Sequence, residues 1–363
     1  MEQKLRTGII GCGKVAHLHA RALVNAHNSD FRAVCSRSPE NGRKFASGYG
    51  VSSWTDVEEM VEKEKLDVVV VCTPHPAHRE PAIHALMAGA HIMVEKPLAS
   101  SLEDCDAMIA TAGKTGRQLG VISQRRFYPP SLRMHRAIKE GRIGRPVLGT
   151  VIMLGWRDKE YYDSDPWRGS WKNEGGGVLV NQSPHQLDLL QWFMGSGIEE
   201  LYGLWDNFNH PYIEVEDTAV AVIRFKNGAI GNIVVSNSQK PGIYGKVHIH
   251  GSSGASVGVQ TDGGAMFIAG RSGIAEPPVN DLWTIPGEEM MLEEWVKEDS
   301  DIFNSVDATE YYIRLQHEDF IDAIIRGEQP MVTGNEGRKT VEIFTALYRS
   351  QKERRPVRWP LNS

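Results

Sequence analysis

The chain has 363 residues, 41% of them hydrophobic and 24% charged, with a formal net charge of -6. This length exceeds what one hydrophobic core usually supports, so two domains are expected, and the composition argues against disordered, collagen-like and membrane classes. An acidic balance supplies no basic field for a nucleic-acid backbone, which makes a small molecule the expected partner.

The polar N-terminus enters a strand pattern at Thr7 almost at once, so no signal peptide is expected there. No apolar run approaches the ~20 residues that span a bilayer. Cys12, Cys35, Cys72 and Cys105 have no CxxC pairing and read as buried thiols of a reducing compartment, which points to the cytoplasm.

Short apolar runs over Thr7 to Ile10, Phe31 to Cys35, Asp67 to Cys72, His91 to Val94 and Gln118 to Ile122 predict strands separated by helices. Val68 to Val71 is apolar without alternation, as in a parallel strand covered on both faces. Residues 1–123 therefore read as a doubly wound α/β domain. Ser100 and Glu103 form a capping-box pattern before a helix from about Ser101, which Gly113 or Gly116 would end.

After Pro129-Pro130 a helix is expected to about Glu140, broken by Gly141, Gly144 and Pro146. Strands are then predicted over Val147 to Leu154, Leu201 to Trp205, Thr218 to Phe225, Ile230 to Val235 and Val247 to His250. Asn227-Gly228 signals a type I′ hairpin, so residues 124–363 read as an α/β domain with a large, mostly antiparallel open sheet. Residues 270–310 form an acidic excursion or partner contact, and helices over Tyr311 to Arg326 and Glu336 to Glu353 close the chain.

The first strand runs into Gly11-Cys12-Gly13-Lys14-Val15-Ala16 and then a helix, the context a dinucleotide fingerprint requires. Gly11 permits the tight turn, Gly13 lets the backbone approach a pyrophosphate, and Ala16 allows close helix packing beside Lys14 and Val15. The second strand ends Cys35-Ser36-Arg37, where an NAD-selective site would carry an acid. A hydroxyl and a guanidinium there lean towards the 2′-phosphate of NADP, and NAD stays open.

Val94-Glu95-Lys96-Pro97 ends the fourth long strand at the carboxyl edge of the sheet, where Pro97 restricts Lys96 to an extended backbone. Glu174-Gly175-Gly176-Gly177 leads to Asn181-Gln182-Ser183-Pro184-His185-Gln186-Leu187-Asp188. Ser183 and Gln186 fit a capping box with His185 in the first turn, where the helix dipole favours neutral imidazole. A helix from Val178 with a kink at Pro184 would instead align Asn181, His185 and Asp188 on one face.

These motifs, with Cys72-Thr73-Pro74 and His78, resemble the Gfo/Idh/MocA oxidoreductases over nearly the whole chain. The resemblance implies an N-terminal Rossmann domain and a C-terminal domain whose open sheet forms a dimer or tetramer. It implies nicotinamide contacts from Thr73, Pro74, His78, Glu95 and Lys96, with Lys96 stabilising alkoxide charge and His185 taking the proton. Family members place aspartate where this chain has Asn181, and an amide cannot relay a proton. Asn181 is then expected to orient a hydroxyl or the histidine.

Trp156-Arg157, Tyr161 and Trp167-Arg168 supply aromatic faces and cations that suit a sugar, together with Asn181 and His185, and they fit loop packing or a subunit contact equally. His17, His19, His75, His78, His248 and His250 lack H-E-x-x-H spacing, so no metal is expected. The expected activity is hydride transfer at a secondary alcohol carbon of a sugar, glycoside or cyclitol, including glycoside C3. A redox-neutral glycoside-processing enzyme with tightly bound NAD, and a non-catalytic nucleotide sensor, remain the alternatives.

Overall fold

The computed structural model describes residues 3–261 and 276–361. The chain divides into two compact units, Met1–Gln124 with Thr309–Val341, and Arg125–Ala308 with Glu342–Asn362. The first unit begins β1 (Leu5–Ile10), α1 (Ala16–Asn25), β2 (Ser29–Cys35), α2 (Pro39–Tyr49), β3 (Ser52–Trp54) and α3 (Val57–Glu64). It continues β4 (Val68–Val71), α4 (Arg79–Met87), β5 (His91–Val94), α5 (Leu102–Thr115) and β6 (Leu119–Val121). All six strands are parallel, in the order β3-β2-β1-β4-β5-β6.

The reason is visible in β4, whose four valines are each buried, as only a strand covered on both faces requires. Strands are added outward on one side from β1 to β3 and then on the other from β4 to β6, and such a switch in order places a crevice at the carboxyl ends of β1 and β4. The α5 cap differs from expectation by one residue. Ser101 rather than Ser100 accepts from the Asp104 amide, and left-handed Gly116 ends the helix.

The second unit contains α6 (Pro129–Lys139), β7 (Pro146–Trp156), α7 (Lys159–Asp163), α8 (Val178–Asn181), α9 (Pro184–Met194), β8 (Ile198–Asp206) and β9 (Thr218–Phe225). It continues β10 (Ile230–Ser236), β11 (Ser238–Gly251), β12 (Ser256–Thr261), β13 (Val279–Trp283) and α10 (Met291–Ser305). Next come α11 (Ala308–Arg326), α12 (Gly334–Glu353) and β14 (Val357–Arg358). The eight-stranded sheet runs β13-β12-β11-β7-β10-β9-β8-β14, antiparallel except where β7 meets β10.

Alternation along β9 buries Ala219, Ala221, Ile223 and Phe225 and exposes Val220, Val222 and Arg224. Tyr202, Leu204 and Ile230 are likewise exposed, so one face of this sheet carries an apolar surface.

Two expectations are corrected here. At Asn227-Gly228 only the glycine has positive φ, and the Gly228 amide donates to Phe225 O while the Phe225 amide donates to Ala229 O. That is a three-residue loop with a left-handed glycine rather than a type I′ turn, which needs two such residues. The acidic stretch after residue 270 is not a mere excursion, because it holds β13 and α10. Arg133 pairs with Asp299 and lies over the Trp295 ring at 4.6 Å. Residues 270–275 of that stretch lie outside the described ones.

Thr309–Val341 returns to the first unit: Gln316 donates to Val121 O at 2.8 Å and accepts from the Ser123 amide at 2.8 Å. Among the described residues, no helix is long and apolar enough to cross a membrane.

Candidate cofactor and catalytic site

In the first unit the motif-bearing turns emerge from the carboxyl ends of the neighbouring strands β1, β4 and β5. Gly11 has φ +95, and a Cβ there would lie 2.9 Å from the Cys72 backbone, so the β1 and β4 turns touch only because this residue is glycine. Gly13 is exposed and a Cβ on it would meet nothing within 4 Å. That space is open on the solvent side, as a close approach by a pyrophosphate demands. Ala16 is fully buried where α1 begins, and Lys14 and Val15 are exposed beside it.

Ser36 accepts from the Ser38 amide at 3.3 Å, and Arg37 is exposed at the end of β2. In the β4 turn the Thr73 hydroxyl donates to Ala77 O at 2.8 Å. His78 is buried and places its two ring nitrogens 2.8 Å from Thr73 O and 3.1 Å from Leu98 O. It ties the β4 turn to the β5 turn, so its contribution to a cofactor site is to hold Thr73 and Pro74 in place.

The β5 turn carries Glu95 and Lys96, with a cis bond between Lys96 and Pro97. Glu95 Oε1 meets His19 Nε2 at 2.8 Å and Oε2 accepts from the Lys96 amide at 2.9 Å. Burial works to raise the Glu95 pKa, but the His19 hydrogen bond, with the charges of His19 and Lys96, holds it below the ordinary carboxylate value. His19 in turn meets His317 at 2.9 Å.

The second unit positions Asn181 and His185 through the glycine run. A Cβ on Gly177 would collide with Glu216 O, and one on Gly176 with the Tyr348 hydroxyl, which explains those two glycines. Buried Glu216 accepts from the Gly177 amide (2.9 Å), the Leu179 amide (3.0 Å) and the Tyr348 hydroxyl (2.9 Å). Burial pushes its carboxyl up to about 7 against those hydrogen bonds.

Both local readings of the helix are partly realised, because α8 ends at Asn181 and α9 starts anew at Pro184. Pro184 opens a helix and kinks none. The capping box is not formed: the Ser183 hydroxyl donates to Leu179 O, and Gln186 donates to Thr261. His185 is buried in the first turn of α9. Asp188 is held in a two-point pair by Arg126 at 2.8 and 2.6 Å.

Asn181 Nδ2 donates to Glu174 Oε1 and, at 3.1 Å, to the Tyr161 hydroxyl. That hydroxyl also receives Arg168 at 2.5 Å and Gln182 at 2.8 Å. Asn181, Tyr161 and Arg168 are thus brought together, and Trp167 stacks under Arg168 at 4.4 Å. Arg157 lies over Tyr161 at 5.6 Å, and Trp156 packs with His210 at 5.0 Å between centroids.

Lys96 belongs to the first unit and Asn181 and His185 to the second. Sequence reasoning missed Glu216, His210 and His317, and gave Glu174 no role beyond heading the glycine run. His210 is buried between Asp217 (2.8 Å) and Arg157 O (2.6 Å). No local pattern marks them, because Glu216 and His317 meet partners distant in sequence and Glu174 and His210 meet theirs within loops of no regular period.

A family model described as the NAD-binding Rossmann fold of an oxidoreductase family matches residues 5–123, and the GFO/IDH/MocA C-terminal domain matches residues 131–257. A 1,5-anhydro-D-fructose reductase from Ensifer adhaerens is 29% identical over 76% of this chain and 83% of its own. A myo-inositol 2-dehydrogenase from Thermotoga maritima is 31% identical over 69% and 74%. The WlbA dehydrogenase of Bordetella pertussis, solved with NADH and UDP-GlcNAcA, superposes with a TM-score of 0.86 at 28% identity over 100% of this chain and 99% of that one.

Proposed function

Because the chain belongs to the Gfo/Idh/MocA oxidoreductase family, we propose that it moves a hydride between a nicotinamide cofactor and a secondary alcohol or ketone carbon of a sugar, glycoside or cyclitol. It is an NAD-binding oxidoreductase. The observation that carries the reading is the convergence of Gly11–Gly13, Cys72–Pro74 and Glu95–Pro97 on adjacent strand ends of one parallel sheet. Relatives named for anhydrofructose and inositol, and a dehydrogenase solved with UDP-GlcNAcA, support a ring hydroxyl as the reacting group.

A nicotinamide cofactor, when bound, supplies the hydride acceptor or donor. Gly13 and the start of α1 would hold its pyrophosphate, and Ser36 with Arg37 would donate to a 2′-phosphate, which leans the site towards NADP and leaves NAD open. Lys96 donates a hydrogen bond to the reacting oxygen and stabilises its developing negative charge. His185 takes the hydroxyl proton as the C–H hydrogen leaves. Asn181, fixed by Glu174 and Tyr161, orients a substrate hydroxyl in place of the family's aspartate.

The exposed apolar face of β8, β9 and β10 joins copies into a dimer or tetramer, and the chain works in the cytoplasm, consistent with four cysteines that form no CxxC pair. A panel of polyols, aldoses, glycosides and inositols with NAD and NADP tests the reading. Reduction of either nicotinamide by a ring alcohol is the expected result. Tight cofactor binding without turnover across the panel contradicts it and favours a sensor.

A further inference from the structure

The first unit contains a buried polar chain that the mechanism above leaves unused. His19 on α1 is fully buried, His317 on α11 is 1% exposed, and their ring nitrogens Nδ1 and Nε2 lie 2.9 Å apart. His19 Nε2 faces Glu95 Oε1 at 2.8 Å, and the other oxygen of Glu95 accepts from the Lys96 backbone amide at 2.9 Å. Two imidazoles buried in an apolar unit are costly unless hydrogen-bonded, and these two are bonded in a line that ends at Lys96.

We propose that His317 is a positioning residue for Lys96, acting through His19 and Glu95. The inference rests on the reading of Lys96 as a catalytic residue. Glu95 accepts from both sides, so His19 must present Nε2–H to it. One hydrogen then lies between His19 Nδ1 and His317 Nε2, 2.9 Å apart, so His317 is the partner that fixes the His19 ring. His317 is held neutral because burial, and then the neighbouring His19, push its pKa well below the ordinary value.

Without that partner, nothing on its far side fixes the His19 ring against the carboxylate. The grip of Glu95 on the Lys96 backbone loosens as a result. Contacts outside this hydrogen-bonded line also hold His317 in place. Gln316 anchors α11 to β6 on one side, and Ile313 packs with Leu18 and Ala22 of α1. An orienting partner behind a functional group usually matters 10- to 100-fold, as with ligand-orienting carboxylates in metal sites.

The test measures kcat, KM for cofactor and thermal midpoint in His317→Met, His317→Gln and Lys96→Met, using the full chain and whichever ring alcohol it oxidises. Methionine fills the space and offers no hydrogen-bond partner, whereas the glutamine amide can donate or accept where Nε2 did. The expected result is kcat lowered about tenfold or more in His317→Met with cofactor KM within about twofold, and kcat within about threefold of wild type in His317→Gln.

Should the methionine variant not fold, His317→Asn replaces it. That amide is polar but stops short of His19, so a low kcat is again expected. Wild-type kcat in the folded methionine or asparagine variant, with Lys96→Met inactive, overturns the inference alone. Unchanged turnover in Lys96→Met overturns the catalytic reading and the inference together.

Discussion

Glu216 is placed to make the stability of the second unit fall with rising pH. Its folded pKa is raised from 4.5 to about 7, because burial outweighs the hydrogen bonds from Leu179, Gly177 and Tyr348. Between those two values the folded chain holds a proton that the unfolded chain has released. The stabilisation is therefore complete below 4.5 and is lost as pH rises through about 7. At about 1.4 kcal/mol per pH unit, the displacement is worth about 3 kcal/mol. Glu216→Gln removes the titration: glutamine is neutral throughout, and its cost from turning an NH2 towards one of the donors does not change with pH. Thermal unfolding of both proteins from pH 5 to pH 8.5 reads the difference, since other titrating groups are common to both. The wild-type midpoint should fall more steeply, by an amount equivalent to about 3 kcal/mol over the window. Parallel profiles would refute the account of Glu216.

Asn181→Asp replaces a donor to Glu174 and Tyr161 with a second carboxylate against Glu174. Loss of about 1–3 kcal/mol and reduced turnover are expected, with recovery on adding Glu174→Gln; wild-type stability and kcat in the single variant would contradict this. A Cβ at residue 13 meets nothing within 4 Å, so in Gly13→Val the fold should survive while cofactor Kd, followed by fluorescence, rises about 100-fold or more through steric exclusion. A valine variant that binds cofactor normally would remove the glycine turn from the site.

The strands of the first unit were legible because β1, β4 and β5 are short, apolar and flanked by glycine or proline, and the three functional turns follow them directly. Capping was less so. Ser100 and Ser101 are both competent caps, and tertiary placement chose the second, while Ser183 was drawn to Leu179 O instead of the helix start. Asn227-Gly228 carries the composition of one turn and the conformation of another. What stayed hidden were contacts made across the sequence: Glu216 to Gly177, Asn181 to Glu174 within a loop of no regular period, and His317 to His19 some 298 residues apart. Periodicity reports a face to be buried and says nothing of which polar atom will meet which.

The central claim is that Lys96 and His185 carry the chemistry while other residues hold the cofactor. Single-turnover stopped-flow on Lys96→Ala and His185→Ala, following nicotinamide absorbance beside a separate measurement of cofactor Kd, tests it most directly. The account predicts that each variant loses at least ~10²-fold in the rate of hydride transfer with Kd nearly unchanged. A wild-type rate in either variant would contradict it.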